Sequence, residues 1–355
     1  MKSLRVRSVA AAALVLAAGA LSLSAVAGEN GLQRYSPGVG GSDMTAPLVP
    51  GWYFQLPFVT YHATKYKGND GEQITNATPL APTLPQRAAR TLIDAKATNS
   101  AFLPRLTYLS ANEFLGGNLG LTAMLPLVQR KAEFKAVSTT IPGVTTLSPS
   151  PSAVQQGVSA QNGSEIGLGD AEISPVIHWE IGDHQAITLA PTLVVPTGDY
   201  NASQRVNTGY GNFFTFRPSV QYAFIGDGWD VGVRSVLSFN TRNADDGYFS
   251  GHVFNLDYQL MAFVSEDIRL GLQGYFVRQL SADTQNLSGF SAQQQAAFRK
   301  EIIDGNKLSV NAAGPAIAWI KNGGELMVEG KFLKEFNARN RFQGSAFWLT
   351  VAKPL

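Results

Sequence analysis

From Gly167 to Leu355 the chain repeats one unit. A run of about ten to fifteen residues alternates apolar and polar side chains, a tight turn follows, then a second such run and a longer polar stretch. In Ile173–Ile181 one parity holds Ile173, Ile177, Trp179 and Ile181, and the other holds Ser174, His178 and Glu180. A period of 2 with only moderate hydrophobicity per run predicts strands with one face in lipid and one toward a polar lumen, as in a transmembrane β-barrel. The same parity places Phe214, Phe216, Val220, Tyr222 and Phe224 outward, and likewise Phe254, Leu256, Tyr258 and Leu260, then Leu326, Val328, Phe332 and Phe336. Lys334 breaks the last series and is tolerable near the outer rim, where a cation costs little.

The punctuation gives the topology. Short turns are expected at 111–113, 182–184, 226–228, 265–267 and 322–324. Longer connections are expected over 64–98, 132–166, 199–209, 243–250, 281–306 and 338–340. Their alternation predicts an all-β, antiparallel up-and-down barrel of about twelve strands with short periplasmic turns and long extracellular loops. The strands begin near Gly51, Asn99, Leu115, Gly167, Gln185, Gly211, Trp229, Gly251, Ile268, Lys307, Glu325 and Phe342. Residues 139–163, rich in Ser, Thr, Pro and Gly, read as an outer loop without a packed core of its own. Residues 291–302 have a capping-box opening and helical spacing, so a short lid helix and a solvated loop both stay open there.

The N-terminus supplies a route to the membrane. Lys2, Arg5 and Arg7 precede an apolar run from Val9 to Leu23, and Ala25-Val26-Ala27 is a small-x-small cleavage pattern, so residues 1–27 read as a cleaved signal peptide. A retained inner-membrane anchor is the alternative. Residues 28–50, polar and dense in Gly and Pro, are either a periplasmic tether or a plug folded into the barrel, which itself occupies 51–355.

Composition narrows the function. Of 28 Lys and Arg, three belong to the leader, leaving 25 against 26 acidic residues, a balance that gives nucleic acid no footing. Mean hydropathy near zero, with no later apolar run long enough for a spanning helix, excludes a helical transporter. A secreted soluble β-protein stays possible. No cysteine is present, so no thiol chemistry arises. His62, His178, His184 and His252 lack ligand-like spacing, which argues against a metal or other cofactor. Inward parity collects Arg105, Arg217, Arg234, Arg269 and Lys331 with Asp170, Glu172, Glu180, Asp230, Asp257, Glu329 and Glu335. Such charges either brace a narrow interior or line a path, and their balance disfavours strong ion selectivity. Tyr53, Tyr61, Phe213 and Tyr275, on the same parity, are candidate entrance aromatics for hydrophobic solutes.

Short motifs add a family. Asn30-Gly31, Tyr35-Ser36-Pro37-Gly38, Pro50-Gly51-Trp52-Tyr53-Phe54, Gly167-Leu168-Gly169-Asp170 and Pro196-Thr197-Gly198-Asp199-Tyr200 together resemble the outer-membrane family named for the MetA pathway of phenol degradation, in particular its SphA-like members. The resemblance implies a bacterial outer-membrane channel for passive uptake of small hydrophobic or aromatic compounds feeding catabolism, with no enzymatic activity and no cofactor. Its partners would be outer-membrane lipid, the solute, and the outer-membrane assembly machinery. The alternating C-terminal run 347–355 fits recognition by that machinery, although Pro354 and Leu355 replace the usual aromatic end. The rivals are a phospholipase-like outer-membrane hydrolase, which needs an outward Ser–His pair on adjacent strands, and a structural barrel without transport.

Overall fold

The structure is a computed structural model that describes residues 33–355 apart from 47, 80–87 and, within 286–306, all but Ser288, Ala292 and Gln295. The expected signal peptide and the capping-box segment lie outside the described residues.

Twelve antiparallel strands among the described residues close into one barrel, as the turn pattern predicts. They are β1 Gly51–Lys67; β2 Ala88–Phe102 continuing as Arg105–Phe114; β3 Gly117–Met124 continuing as Leu127–Ile141; β4 Gly163–Leu168 continuing as Ala171–Ile181; β5 Gln185–Val195; β6 Thr215–Gly226; β7 Trp229–Asn240; β8 Val253–Phe263; β9 Ile268–Gln279; β10 Ser309–Lys321; β11 Leu326–Arg339; and β12 Arg341–Pro354. Each pairs with the next, and β12 pairs back onto β1 from Tyr53↔Pro354 to Lys67↔Arg341. Closure matters because an unpaired N–H or C=O in hydrocarbon costs several kcal/mol, roughly, and a closed ladder leaves no edge. The outward parity is apolar and solvent-accessible in the isolated chain, with Phe216 49 % and Phe332 48 % exposed, whereas inward Asp230 and Gln273 are fully buried. A polar interior inside an apolar shell is what lipid on one side and a filled lumen on the other require.

Three expectations need correction. The turn placed at 111–113 lies at Leu115–Gly116, because both residues adopt positive φ (52° and 76°) and let β2 continue to Phe114. The connections expected over 64–98 and 132–166 are largely strand: β1, β2 and β3 run well past the level of the other strands, with Arg90↔Thr140 still in register. Residues 139–163 are not coreless, since they hold a short strand, Thr145–Leu147, and a helix, α1, Ser152–Ser159. Val154 and Val158, four apart on α1, are fully buried against Tyr66, Ile93, Phe134 and Ile141. A small apolar core thus sits outside the membrane zone and stiffens one side of the outer rim.

The wall has an irregular seam on β1–β4. Pro57 on β1 sits at the level where β2 stops at Leu103-Pro104, β3 at Leu125-Pro126 and β4 at Gly169-Asp170. Proline cannot donate to a ladder, so few bonds hold the strands at this height. Those present are Leu103 N to Pro57 O at 2.8 Å, Leu125 N to Pro104 O at 3.4 Å, and Gly169 N to Pro126 O at 2.8 Å.

Strands approach closely at Gly314. A Cβ at Gly314 on β10 would lie 1.7 Å from the carbonyl oxygen of Phe332 on β11. Gly314→Val should therefore block closure between these strands, which loss of the heat-modifiable folded band on a gel would report. A normally folded variant would show that the ladder tolerates displacement there.

Candidate functional site

The barrel interior is built around residues 33–46, which run through the lumen and end in a 3-10 turn, Ser42–Met44. Tyr35 and Val39 are buried against wall residues such as Val236, Tyr275 and Leu333, and Met44 is buried beside Gly232. Gly38 adopts φ +83°, and a Cβ there would meet Leu333 at 2.7 Å, so backbone and wall meet without space for a side chain.

Inward charges fasten this segment at several levels. Asp257 on β8, fully buried, accepts three hydrogen bonds, from Tyr35 Oη at 2.6 Å, Gly38 N at 2.9 Å and Gly40 N at 2.9 Å. Glu329 on β11 accepts from Ser42 N and from Gln273 Nε2, each at 2.7 Å. Lys331 donates to Gly40 O at 2.7 Å and lies 3.3 Å from Glu329. Asp43 faces Arg234 at 3.1 Å and Arg105 at 3.5 Å. Arg34 pairs with Asp170 at 3.2 Å, donates to Gly211 O at 2.8 Å, and stacks over Phe213. Arg217 pairs with Glu172 and donates to Arg34 O. Buried ions persist when each has a partner, and here the segment supplies many of the partners.

All eight expected lumen residues therefore point inward. Arg105, Glu172, Arg217, Arg234, Asp257, Glu329 and Lys331 touch the segment or its immediate contacts. Arg269 instead pairs with Asp230 nearer the short-turn end, where Gln259 also donates to Asp230. The aromatics divide. Tyr61 and Tyr275 both donate to Glu335, at 2.8 and 2.7 Å, on the outer side of the segment. Phe213 lies beneath the Arg34 guanidinium, and Tyr53 is at the opposite, short-turn end, bonded to Val49. Tyr53 is therefore not grouped with the other three.

Two cavities remain, separated by this segment. The outer one is mainly apolar, lined by Val59, Tyr61, Leu103, Val128, Tyr275 and Trp348 among others. The inner one, lined by Asp43, Arg105, Thr188, Arg217, Gln221 and Arg234 as well as by Leu48, Val176 and Val236, mixes charged and apolar surface. On the lipid side of the wall, at the proline seam, Phe54, Leu106, Leu125, Ile173 and Val195 form an apolar groove. Met124 and Glu172 line all three spaces. Sequence reasoning missed this junction. Its available signal, prolines 57, 104 and 126 inside runs that otherwise alternate as strand, is shared by prolines 175, 191, 218 and 315 elsewhere in the wall.

The hydrolase geometry is not assembled among the described residues. His62 faces outward with Nδ1 3.3 Å from Thr98 Oγ1, and its cross-strand neighbour Ser345 makes no hydrogen bond to it.

Two outcomes follow for the fastening. Asp257→Ala leaves three donors without their acceptor, at about 1–3 kcal/mol each, and should loosen the segment, raising single-channel ion conductance. Unchanged conductance would mean that the remaining contacts suffice. For Asp43, burial acts to raise the carboxyl pKa, but Arg234 and then Arg105 outweigh it and hold the group below its ordinary value of 3.8. A lowered folded-state value means that the carboxylate's contribution is complete above the ordinary value and lost as pH falls through the lowered one. Conductance should be flat between about pH 5 and 8 and rise only in stronger acid. A rise beginning near pH 6 would place the controlling group elsewhere.

A family model described as "Putative MetA-pathway of phenol degradation" matches residues 83–351. The COG4313 outer membrane channel from Pseudomonas putida F1 is similar in structure, with a TM-score of 0.64 and 13 % identity, over 89 % of this chain and 100 % of that one. The β domain of the Bordetella autotransporter BrkA gives 0.43 at 8 % identity over 86 % and 100 %. A Pseudomonas aeruginosa FadL homologue gives 0.38 at 11 % over 93 % and 98 %. Only the first is close enough to show a common fold. No curated protein matches the sequence. An outer-membrane barrel whose alternating strands carry that family's pattern over most of their length leads to one assignment: this chain belongs to the family of the MetA pathway of phenol degradation.

Proposed function

We propose that the protein is a passive outer-membrane channel for small hydrophobic or aromatic compounds, that it is not an enzyme, and that it is exported by a signal peptide cleaved after Ala27. The phenol-degradation family and the channel named for the Pseudomonas putida relative support the solute class and the transport role. The motifs shared with SphA-like members support that branch of the family.

The observation that carries the reading is the position of Met124 and Glu172, which border the outer cavity, the inner cavity and the lipid-side groove alike. Straight down the axis, a hydrophobic solute would have to displace residues 33–46 and then cross a cavity lined by Arg105, Arg217 and Arg234. Sideways, it meets Leu103, Met124 and Leu125 at the height where prolines have thinned the ladder. The second path offers more apolar surface than the first, so the solute enters from outside, partitions into the outer cavity, and leaves through the wall. Ions and water use the inner cavity instead.

Leu125→Trp, in the lipid-side groove and in neither cavity, separates the two paths. In liposomes, uptake of a phenol-like solute should fall several-fold while single-channel conductance of small ions stays close to wild type. Equal loss of both would mean an axial route shared by all solutes. Uptake of neither phenol-like nor sugar solutes by the wild-type chain would end the transport reading.

A further inference from the structure

The lipid-facing wall of β9–β11 carries cations that neither the lumen nor the seam uses. Cross-strand partners there form rows. Gly274, Ala313 and Lys334 make one; Phe276, Asn311 and Phe336 make the next; Arg278, Ser309 and Arg339 make the row nearest the outer rim. Arg339 reaches this face through a bulge. Between Phe336 and Arg339, β11 spends one residue more than β10, with Asn337 at φ 54°, so Ala338 turns inward and Arg339 outward. Arg278 is held flat against the wall by bonds to Asn311 Oδ1 at 2.8 Å and to the carbonyls of Val277 and Val310 at 2.7 and 3.2 Å. Lys67 borders the same surface pocket. Among the described residues, the carboxylate lining that pocket is Asp70, which accepts from Glu72 N in its own turn.

Charge on the other extended wall is arranged differently. Outside β2 and β3, Lys131 pairs with Glu133 at 2.7 Å, Lys96 stands opposite Glu133, and Asp94 opposite Lys135, so that face neutralises itself. The rows on β9–β11 hold Arg278, Lys334 and Arg339 and no acid. Phe276, Phe332 and Phe336 lie outward just below or between these cations, where acyl chains meet head groups.

We infer that this face binds a phosphorylated glycolipid of the outer leaflet, the lipid A moiety of lipopolysaccharide. Its phosphoryl groups rest on Arg278, Arg339 and Lys67, and its acyl chains run along Phe276, Phe332 and Phe336. Guanidinium groups suit phosphate because their planar N–H pairs match two of its oxygens at once. The assignment is independent of which solute crosses the barrel.

The test is lipid retention by the full chain in detergent, counted by native mass spectrometry after addition of lipid A, of lipid A stripped of its phosphates, or of inorganic phosphate. Wild type should hold lipid A roughly tenfold more tightly than the dephosphorylated lipid, and R278Q/R339Q should lose a similar factor while K321Q, at the short-turn rim, does not. Equal retention of the two lipids by wild type would overturn the proposal without reference to any variant. Displacement of lipid A by inorganic phosphate would overturn the lipid assignment in favour of a free-phosphate site. Heat-modifiable migration confirms that the double variant is folded, and wild-type retention by that folded variant would also overturn it.

Discussion

A backbone in hydrocarbon must satisfy its own hydrogen bonds, and the rest of this molecule follows from how the chain meets that demand and where it relaxes it. Twelve strands pair around a full circle, so no edge faces lipid, and the period of 2 then sends every second side chain inward. On β1–β4 that demand is relaxed at one height. Pro57, Pro104 and Pro126 withdraw donors there, and the strands part and resume. Because proline removes the N–H without adding charge, the seam weakens the wall yet keeps it apolar, which is what lateral passage of a hydrophobic solute needs.

The second constraint comes from inside. A narrow lumen lined by ions of both signs would be costly if dry, and each ion needs a partner. Residues 33–46 meet this with backbone as much as with side chains. Gly38 N, Gly40 N and Ser42 N reach Asp257 and Glu329, while Gly40 O accepts from Lys331. Bracing and lining are therefore not alternatives for these residues: the charges brace a segment whose presence divides the lumen into an outer cavity and an inner one that Arg105, Arg217 and Arg234 line. That division makes the axis a poor path for a hydrophobic molecule and leaves the seam as the better one.

The outer surface shows the same economy of placement. Beside the seam, β2 and β3 rise past the membrane zone and close over the α1 core, and their exposed charges pair with one another. Across the barrel, on β9–β11, aromatic residues and unmatched cations share rows. One side of the barrel is thus braced in water, and the other presents a face suited to anionic lipid.

Much of this was legible in the residues themselves. Alternation, turn spacing and charge parity determined a closed antiparallel barrel, its strand number, its outward face and the inward set from Arg105 to Lys331, because each is a property of local order along one strand. Local order also carried the prolines, but not their meaning. Pro57, Pro104 and Pro126 lie on three different strands, and only the register that pairs β1 with β2 and β2 with β3 brings them to one height. Tertiary structure likewise decided where residues 33–46 go, since a Gly- and Pro-rich segment has no period of its own and takes its path from carboxylates more than two hundred residues away, such as Asp257 and Glu329. The same holds for α1, whose Val154 and Val158 find their core on strands distant in sequence. A strand's faces follow from its own residues, whereas a junction between strands exists only once the sheet has closed.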